Sequence, residues 1–117
     1  MTHILLVEDE ERIAGFIAKG LQRHGFRVTM AEDGAIALDY LKQQSFDGIL
    51  LDLGLPRVTG WEVMEELHKR KETTPVIVVT ALALEDDQAK AISLGARAYV
   101  QKPFRFDQLL HAVEQHI

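Results

Sequence analysis

No cysteine occurs anywhere in the 117 residues, which excludes disulfide staples and thiolate metal sites. Such a chain suits a reducing compartment, although the lack of cysteine is compatible with any. Proline is confined to Pro56, Pro75 and Pro103, too few for a proline-rich linker, and no repeat or low-complexity tract interrupts the chain. Basic excess is missing too. Thirteen Lys and Arg stand against eighteen Asp and Glu, a net charge of -5. A stretch this acidic repels a phosphate backbone, which argues against direct nucleic-acid binding. Long hydrophobic runs are absent as well. The longest mostly apolar stretch, residues 76–84, falls far short of the ~20 residues a membrane span needs. Met1-Thr2-His3 carries no basic leader, and the apolar run after it is too short for a signal peptide. The expectation is a cytoplasmic, soluble protein with no membrane contact, folded as one domain over residues 1–117.

What is present is an alternation of strand and helix, five times over. Residues 3–7 read as a short buried strand. Residues 10–24 place Ile13, Phe16, Ile17 and Leu21 at helical spacing, opened by acids and closed by Gly25. Residues 27–31 form a second strand. Asp33 is placed to cap a helix that turns Ala37, Leu38 and Leu41 inward. Residues 48–52 read as a third strand, apolar until its last residue. A loop at 54–60 leads to a helix over 61–71 with Val63, Met64 and Leu67 on one face. Pro75 introduces a fourth strand at 76–80, followed by a helix over 85–94 that stops at Gly95. Residues 97–101 are a fifth strand. A last helix starts near Phe104 or Phe106 and buries Leu109, Leu110 and Val113. Near-continuous Val, Ile and Leu in the strands mean that both sheet faces are covered. The expected fold is therefore α/β, a doubly wound parallel sheet with helices on both faces.

In such a sheet, ligands bind beyond the carboxyl ends of the strands. The first strand ends in Glu8-Asp9, the third in Asp52, the fourth in Thr80-Ala81 and the fifth in Lys102-Pro103. Taken singly, most of these have an ordinary explanation. Glu8 and Asp9 can open a helix, where acids favour the dipole. Thr80 can be a β-branched strand residue, and Lys102 a solvated lysine beside a turn. Asp52 is harder to dismiss. It follows Ile49-Leu50-Leu51, where burying an unpaired charge costs several kcal/mol, roughly. The coincidence at four strand ends points to one site. Crowded carboxylates raise one another's pKa values, and a divalent cation removes that penalty. Oxygen-only donors suit Mg²⁺, which keeps positions for water and phosphate. Asp52 can then act as a carboxylate nucleophile, with Lys102 and Thr80 stabilising a phosphoryl group in flight.

These residues resemble the receiver domains of two-component response regulators, including the chemotaxis receivers. The matching pieces are Ile4-Leu5-Leu6-Val7-Glu8-Asp9-Glu10, Asp47 through Pro56 with Gly60 four residues on, Pro75 through Ala81, Gly95-Ala96 followed by Tyr99, and Lys102-Pro103-Phe104. They cover the whole chain in order. The resemblance implies a flavodoxin-like sheet of five parallel strands in the order 2-1-3-4-5. It implies that Asp52 accepts a phosphoryl group from a histidine kinase or His-containing phosphotransfer protein. Glu8, Asp9, Asp52 and the backbone carbonyl of Gly54 would hold Mg²⁺ or Mn²⁺. Thr80, the Ala81 backbone N–H and Lys102 would stabilise the phosphoryl group, and the bond before Pro103 would be cis. Thr80 and Tyr99 would switch the face made by the fourth helix, fifth strand and fifth helix. That face would signal to an output domain or effector protein, or pair as a weak homodimer. Such a domain catalyses only its own phosphorylation and dephosphorylation and is not otherwise an enzyme. The residues leave open whether the chain is a complete regulator or the first portion of a longer one.

Other readings fit less well. A Mg²⁺-dependent aspartyl-phosphate phosphatase of the haloacid dehalogenase type needs a second Asp two residues after its nucleophile, and here that position is Gly54. A nucleotide or flavin module would need a glycine-rich phosphate loop, which is absent. A degenerate receiver serving only for protein docking would be expected to lose one of Asp9, Asp52, Thr80 or Lys102. His3, His24, His68, His111 and His116 lack ligand spacing.

Overall fold

The computed structural model describes residues 1–82 and 84–117. Strands β1 (His3–Val7), β2 (Arg27–Ala31), β3 (Gly48–Leu51), β4 (Val76–Thr80) and β5 (Ala96–Gln101) alternate with helices α1 (Glu11–Arg23), α2 (Gly34–Gln43), α3 (Gly60–Lys69), α4 (Glu85–Ser93) and α5 (Phe106–His116). The strands form one sheet in the order β2-β1-β3-β4-β5, and every pairing is parallel. The expected doubly wound, flavodoxin-like α/β architecture is the one observed.

Alternation along the central strands divides the core in two. Leu5, Val7, Ile49, Leu51, Val76 and Val78 point to one side, where they meet Ala37 of α2, Val63, Met64 and Leu67 of α3, and Ala91 of α4. Ile4, Leu6, Leu50, Ile77 and Val79 point to the other, where they meet Ala14, Ile17, Ala18 and Leu21 of α1 and Leu109 and Val113 of α5. Both faces of β1, β3 and β4 are thus dry, which is why these strands read as unbroken apolar runs. The edge strands β2 and β5 are only partly buried.

Each helix is delimited by local chemistry. The Asp33 carboxylate accepts the Ile36 N–H and caps α2. The Thr59 hydroxyl accepts the Glu62 N–H and caps α3. Helix α4 has no side-chain cap but carries Glu85, Asp86 and Asp87 in its first turn, where acids complement the helix dipole. Gly25 and Gly95 end α1 and α4 with φ of 87° and 108°, a left-handed conformation that glycine adopts without a Cβ clash.

Some apolar helix positions sit further from the core than their spacing suggests. Phe16 is 54% exposed; it lies at the margin of the α1 stripe and packs edge-on against Phe106, ring centroids 5.9 Å apart. Leu110, expected to be buried, is only partly so at the edge of the α1/α5 core, and Leu38 and Leu41 of α2 are likewise only partly buried at the margin of the other core. Some boundaries shift by a residue or two. Strand β3 ends at Leu51, so Asp52 is the first residue beyond it.

Gly60 opens α3 against the backbone of Asp52 and Leu53. A Cβ at this position would fall on the Asp52 carbonyl oxygen and the Leu53 Cα, closer than side chains tolerate. Gly15, inside α1, has open space at the same position. Gly60→Ala should therefore lower unfolding stability by about 1–3 kcal/mol. Gly15→Ala should leave it unchanged or raise it by about 0.5–1 kcal/mol through helix propensity. Urea titration of the two variants checks the pair, and equal effects would contradict the packing described.

Candidate phosphoacceptor site

Three of the charged residues singled out by sequence lie one step beyond a strand, and the sheet still holds their backbones. The Glu8 N–H donates to Ala31 O, the Asp52 N–H to Val7 O, and the Lys102 N–H to Thr80 O, at 3.0, 3.1 and 2.8 Å. Each Cα is therefore fixed by a ladder bond to the neighbouring strand, and the side chains leave the same sheet edge from known starting points. Asp9 follows Glu8 and is exposed. Thr80, the last residue of β4, is almost wholly buried.

The convergence is close. Carboxylate oxygens of Glu8, Asp9 and Asp52 lie within 4.8 Å of one another. The Lys102 ammonium donates to Glu8 Oε1 at 2.6 Å and to Asp52 Oδ2 at 2.9 Å. The other oxygen of Asp52, Oδ1, accepts the Gly54 N–H at 3.0 Å. The other oxygen of Glu8 accepts the Glu10 N–H at 3.2 Å. The peptide bond between Lys102 and Pro103 is cis. One ammonium faces three carboxylates, and Glu8 and Asp52 are largely removed from solvent.

Electrostatics separates the two buried acids. Burial pushes Glu8 up to about 7; the Lys102 ammonium pulls it back only in part, and the charge on Asp52 pushes it further. Burial opposes ionisation of Asp52 as well. There, hydrogen bonds from Lys102, the Gly54 amide and Thr80 outweigh it and hold the carboxyl below its usual range. Lys102 loses solvation too, but its bonds to Glu8 and Asp52 raise its pKa. Asp52 is thus the anion at neutral pH, with an ammonium against one oxygen. An all-oxygen donor set with uncompensated negative charge is what Mg²⁺ or Mn²⁺ requires, so the residues present fit such an ion.

The remaining expected site residues sit around this centre. Gly54 has no side chain to cover it, and among the described residues Asp52 Oδ1 alone lies near the position a Cβ would take. Ala81 is exposed beside Thr80. Thr80 Oγ1 accepts the Leu82 N–H at 3.4 Å, and the Tyr99 hydroxyl donates to Leu82 O at 2.5 Å. Tyr99 packs against the core on the α2/α3/α4 side. Burial, with the charges of Asp87 and Asp52, raises its pKa.

Sequence reasoning overlooked Arg57. It stands in the loop after β3 with a positive φ of 59°, and its guanidinium is paired with the buried Asp33 carboxylate. Asp33 was read only as a helix cap. Nothing local marks this long-range partner; the weak signal was an arginine placed immediately after Pro56, where neither turn chemistry nor helix charge calls for it.

Comparison with known proteins agrees with this geometry. A model of the response regulator receiver domain matches residues 4–114. The uncharacterized transcriptional regulatory protein YkoG of Bacillus subtilis is 40% identical over 108 residues, which is 92% of this chain and 47% of that protein. The transcriptional activator protein IrlR of Burkholderia pseudomallei is 41% identical over 110 residues, 94% of this chain and 48% of that protein. The chain thus spans about half the length of the curated relatives it matches. Among solved structures, the response regulator TrrA of Thermotoga maritima in complex with Mg²⁺ and BeF superposes with a TM-score of 0.87 at 33% identity, covering 98% of each chain. With the family model spanning nearly the whole chain and the sheet order and strand-end acids in place, the protein belongs to the receiver domain family of two-component response regulators.

Proposed function

We propose that this domain is a working phosphoacceptor, and that Asp52 takes a phosphoryl group from a histidine kinase or a His-containing phosphotransfer protein. The observation that carries the reading is the Lys102 ammonium bonded at once to Asp52 and Glu8, beside Asp9. In the transfer, an Asp52 carboxylate oxygen forms a bond to phosphorus while the donor's P–N bond breaks and the histidine leaves with its electron pair. Lys102 stands where it can shift from the Asp52 carboxylate to a phosphoryl oxygen. Thr80 and the Ala81 N–H supply further donors. Glu8, Asp9, Asp52 and the Gly54 carbonyl would hold Mg²⁺ or Mn²⁺, which supplies charge neutralisation at the phosphoryl oxygens. The chain's own chemistry ends with formation and hydrolysis of the aspartyl phosphate, as expected of a signalling domain rather than an enzyme with an external product.

The readout would run through Thr80 and Tyr99 to the face of α4, β5 and α5. Drawing the Thr80 hydroxyl toward a phosphoryl group would release the Leu82 N–H and free Tyr99 to follow. That face would then engage an output domain or effector, or a second copy as a weak dimer. The names of the relatives support a transcriptional output in the full-length setting, and the acidic receiver itself would leave DNA contact to another part. A cytoplasmic place would suit a domain phosphorylated by a kinase; separately, among the described residues no helix is long and apolar enough to cross a membrane. The phosphatase alternative still lacks its second acid, since Gly54 stands at that position.

Treatment with acetyl phosphate and Mg²⁺ should add one phosphoryl group to the wild-type protein, read by intact-mass spectrometry. Asp52→Asn should show none, and equal labelling of that variant would defeat the assignment.

The pKa of Glu8 gives a pH dependence with a definite sign. Its folded value, about 7, lies above the ordinary 4.5, so the folded state keeps a proton between those values that the unfolded state has lost. The associated stability is fully present below pH 4.5 and disappears as pH rises through about 7. In chelator, the melting temperature should therefore fall across the upper part of that window, and Glu8→Gln should flatten the fall. Millimolar Mg²⁺ should restore the melting temperature at the alkaline end, because the ion binds only the folded site. Asp9→Ala should erase that restoration. A wild-type profile in chelator that rises over the same window would contradict the account of Glu8.

A further inference from the structure

The loop between β3 and α3 carries the Gly54 carbonyl, yet it is tied down from across the molecule. Its first residue, Asp52, is fixed by the ladder bond to Val7. Its end is fixed by Gly60, whose N–H donates to Leu53 O at 3.1 Å. Between these points, Leu53 and Leu55 are buried, while Gly54, Pro56 and Arg57 are exposed. Arg57 adopts a left-handed backbone conformation with φ 59°. For a residue with a side chain this costs about 1–2 kcal/mol, so other contacts must hold it.

Two contacts do. The Arg57 guanidinium pairs with Asp33 Oδ2. Asp33 is 1% exposed, and its other oxygen, Oδ1, is committed to the Ile36 N–H at 2.9 Å. One residue on, the Val58 carbonyl lies against Gly34, where a Cβ would collide with it. The start of α2 thus serves as a fixed post, and the loop leans on it at two consecutive residues. The Ile36 amide, ahead of Arg57 itself, holds the Asp33 carboxyl below its usual range, so the post remains charged at neutral pH.

We infer that the Asp33–Arg57 pair is a positioning device for the acidic site: it sets the path of residues 54–57 and thereby aims the Gly54 carbonyl at the cation. Neither residue touches the site. Arg57 acts through the loop backbone and Asp33 acts through Arg57. The inference rests on the proposed role of Gly54 in holding Mg²⁺. It makes α2 part of the cation site's support, and it predicts that substitutions remote from the carboxylates change cation affinity.

The test separates side-chain tether, backbone conformation and helix cap. Asp33→Asn keeps a good N-cap but removes the charge. Arg57→Gly removes the guanidinium while making positive φ free of strain. Mg²⁺ affinity is read by isothermal calorimetry on the folded proteins, with phosphorylation by acetyl phosphate at saturating Mg²⁺ measured separately. Each single variant should weaken Mg²⁺ binding by on the order of tenfold, as loss of support behind a metal ligand does. The double variant should be no weaker than either single one, because both remove the same pair. Labelling at saturating Mg²⁺ should stay near wild type, since Asp52 and Lys102 are untouched. Wild-type affinity in Arg57→Gly would overturn the inference, as would additive losses in the double variant. Failure of the wild-type protein itself to bind Mg²⁺ would instead overturn the reading of the site, which keeps the two failures distinct.

Discussion

The site is organised by a single ammonium shared between two acids. Lys102 bonds both Glu8 and Asp52 at the edge of the sheet, and Asp9 completes a cluster that one positive charge cannot neutralise. Removing ions from water costs several kcal/mol each, roughly, and an ion pair recovers that cost only with good geometry and further hydrogen bonds. Asp52 has them, from Lys102, Gly54 and Thr80; Glu8 has fewer and answers by holding a proton to about 7. The imbalance makes the site receptive. A fully neutral cluster would have no use for a cation or for the oxygens of a phosphoryl group.

That arrangement depends on the sheet more than on the side chains. Glu8, Asp52 and Lys102 come from positions as far apart as 8 and 102, yet each is fixed by a backbone bond to the next strand. The dry cores on both faces keep β1, β3 and β4 in register, and the register sets where each strand releases its polar residue. A one-residue slip would send these side chains to the other face. Stability and chemistry are coupled at this point, because the apolar alternation that buries Leu51 and Val7 is also what places Asp52 beside Glu8.

How much of this was legible follows from how local each signal is. Continuous Val, Ile and Leu identified β1, β3 and β4, and acids at the ends of β1 and β3 identified the site, because burial and charge stand in the sequence itself. The resemblance to receiver domains supplied the strand order, which periodicity alone does not give. Phe16, at helical spacing with the core residues of α1, is exposed because a helical stripe has margins. Spacing places it near the stripe, but only the neighbouring Phe106 decides that it lies outside the core. Arg57 was overlooked because its conformation and its partner are both products of the tertiary fold. A left-handed arginine has no sequence signature, and Asp33, 24 residues away, looked sufficiently explained as a cap.

Thr80 and Tyr99 meet at one residue between the sheet edge and the surface. Leu82 is gripped from two sides: its N–H faces Thr80 Oγ1 and its carbonyl accepts from Tyr99. The first contact, at 3.4 Å, is long, and the second, at 2.5 Å, is short. On the proposed reading, the Thr80 hydroxyl, which already faces Asp52, would follow a phosphoryl group placed there at the cost of only the long Leu82 contact, and the tyrosine bond would carry any resulting shift of the Leu82 peptide to β5. Thr80 is buried and Tyr99 is only partly so, so these contacts lead from the inside of the site outward to β5. On the proposed reading, a charge placed on Asp52 would act on a weak bond first and reach a strong one second. In that order, a small electrostatic event can move a surface without having to break the core beneath it.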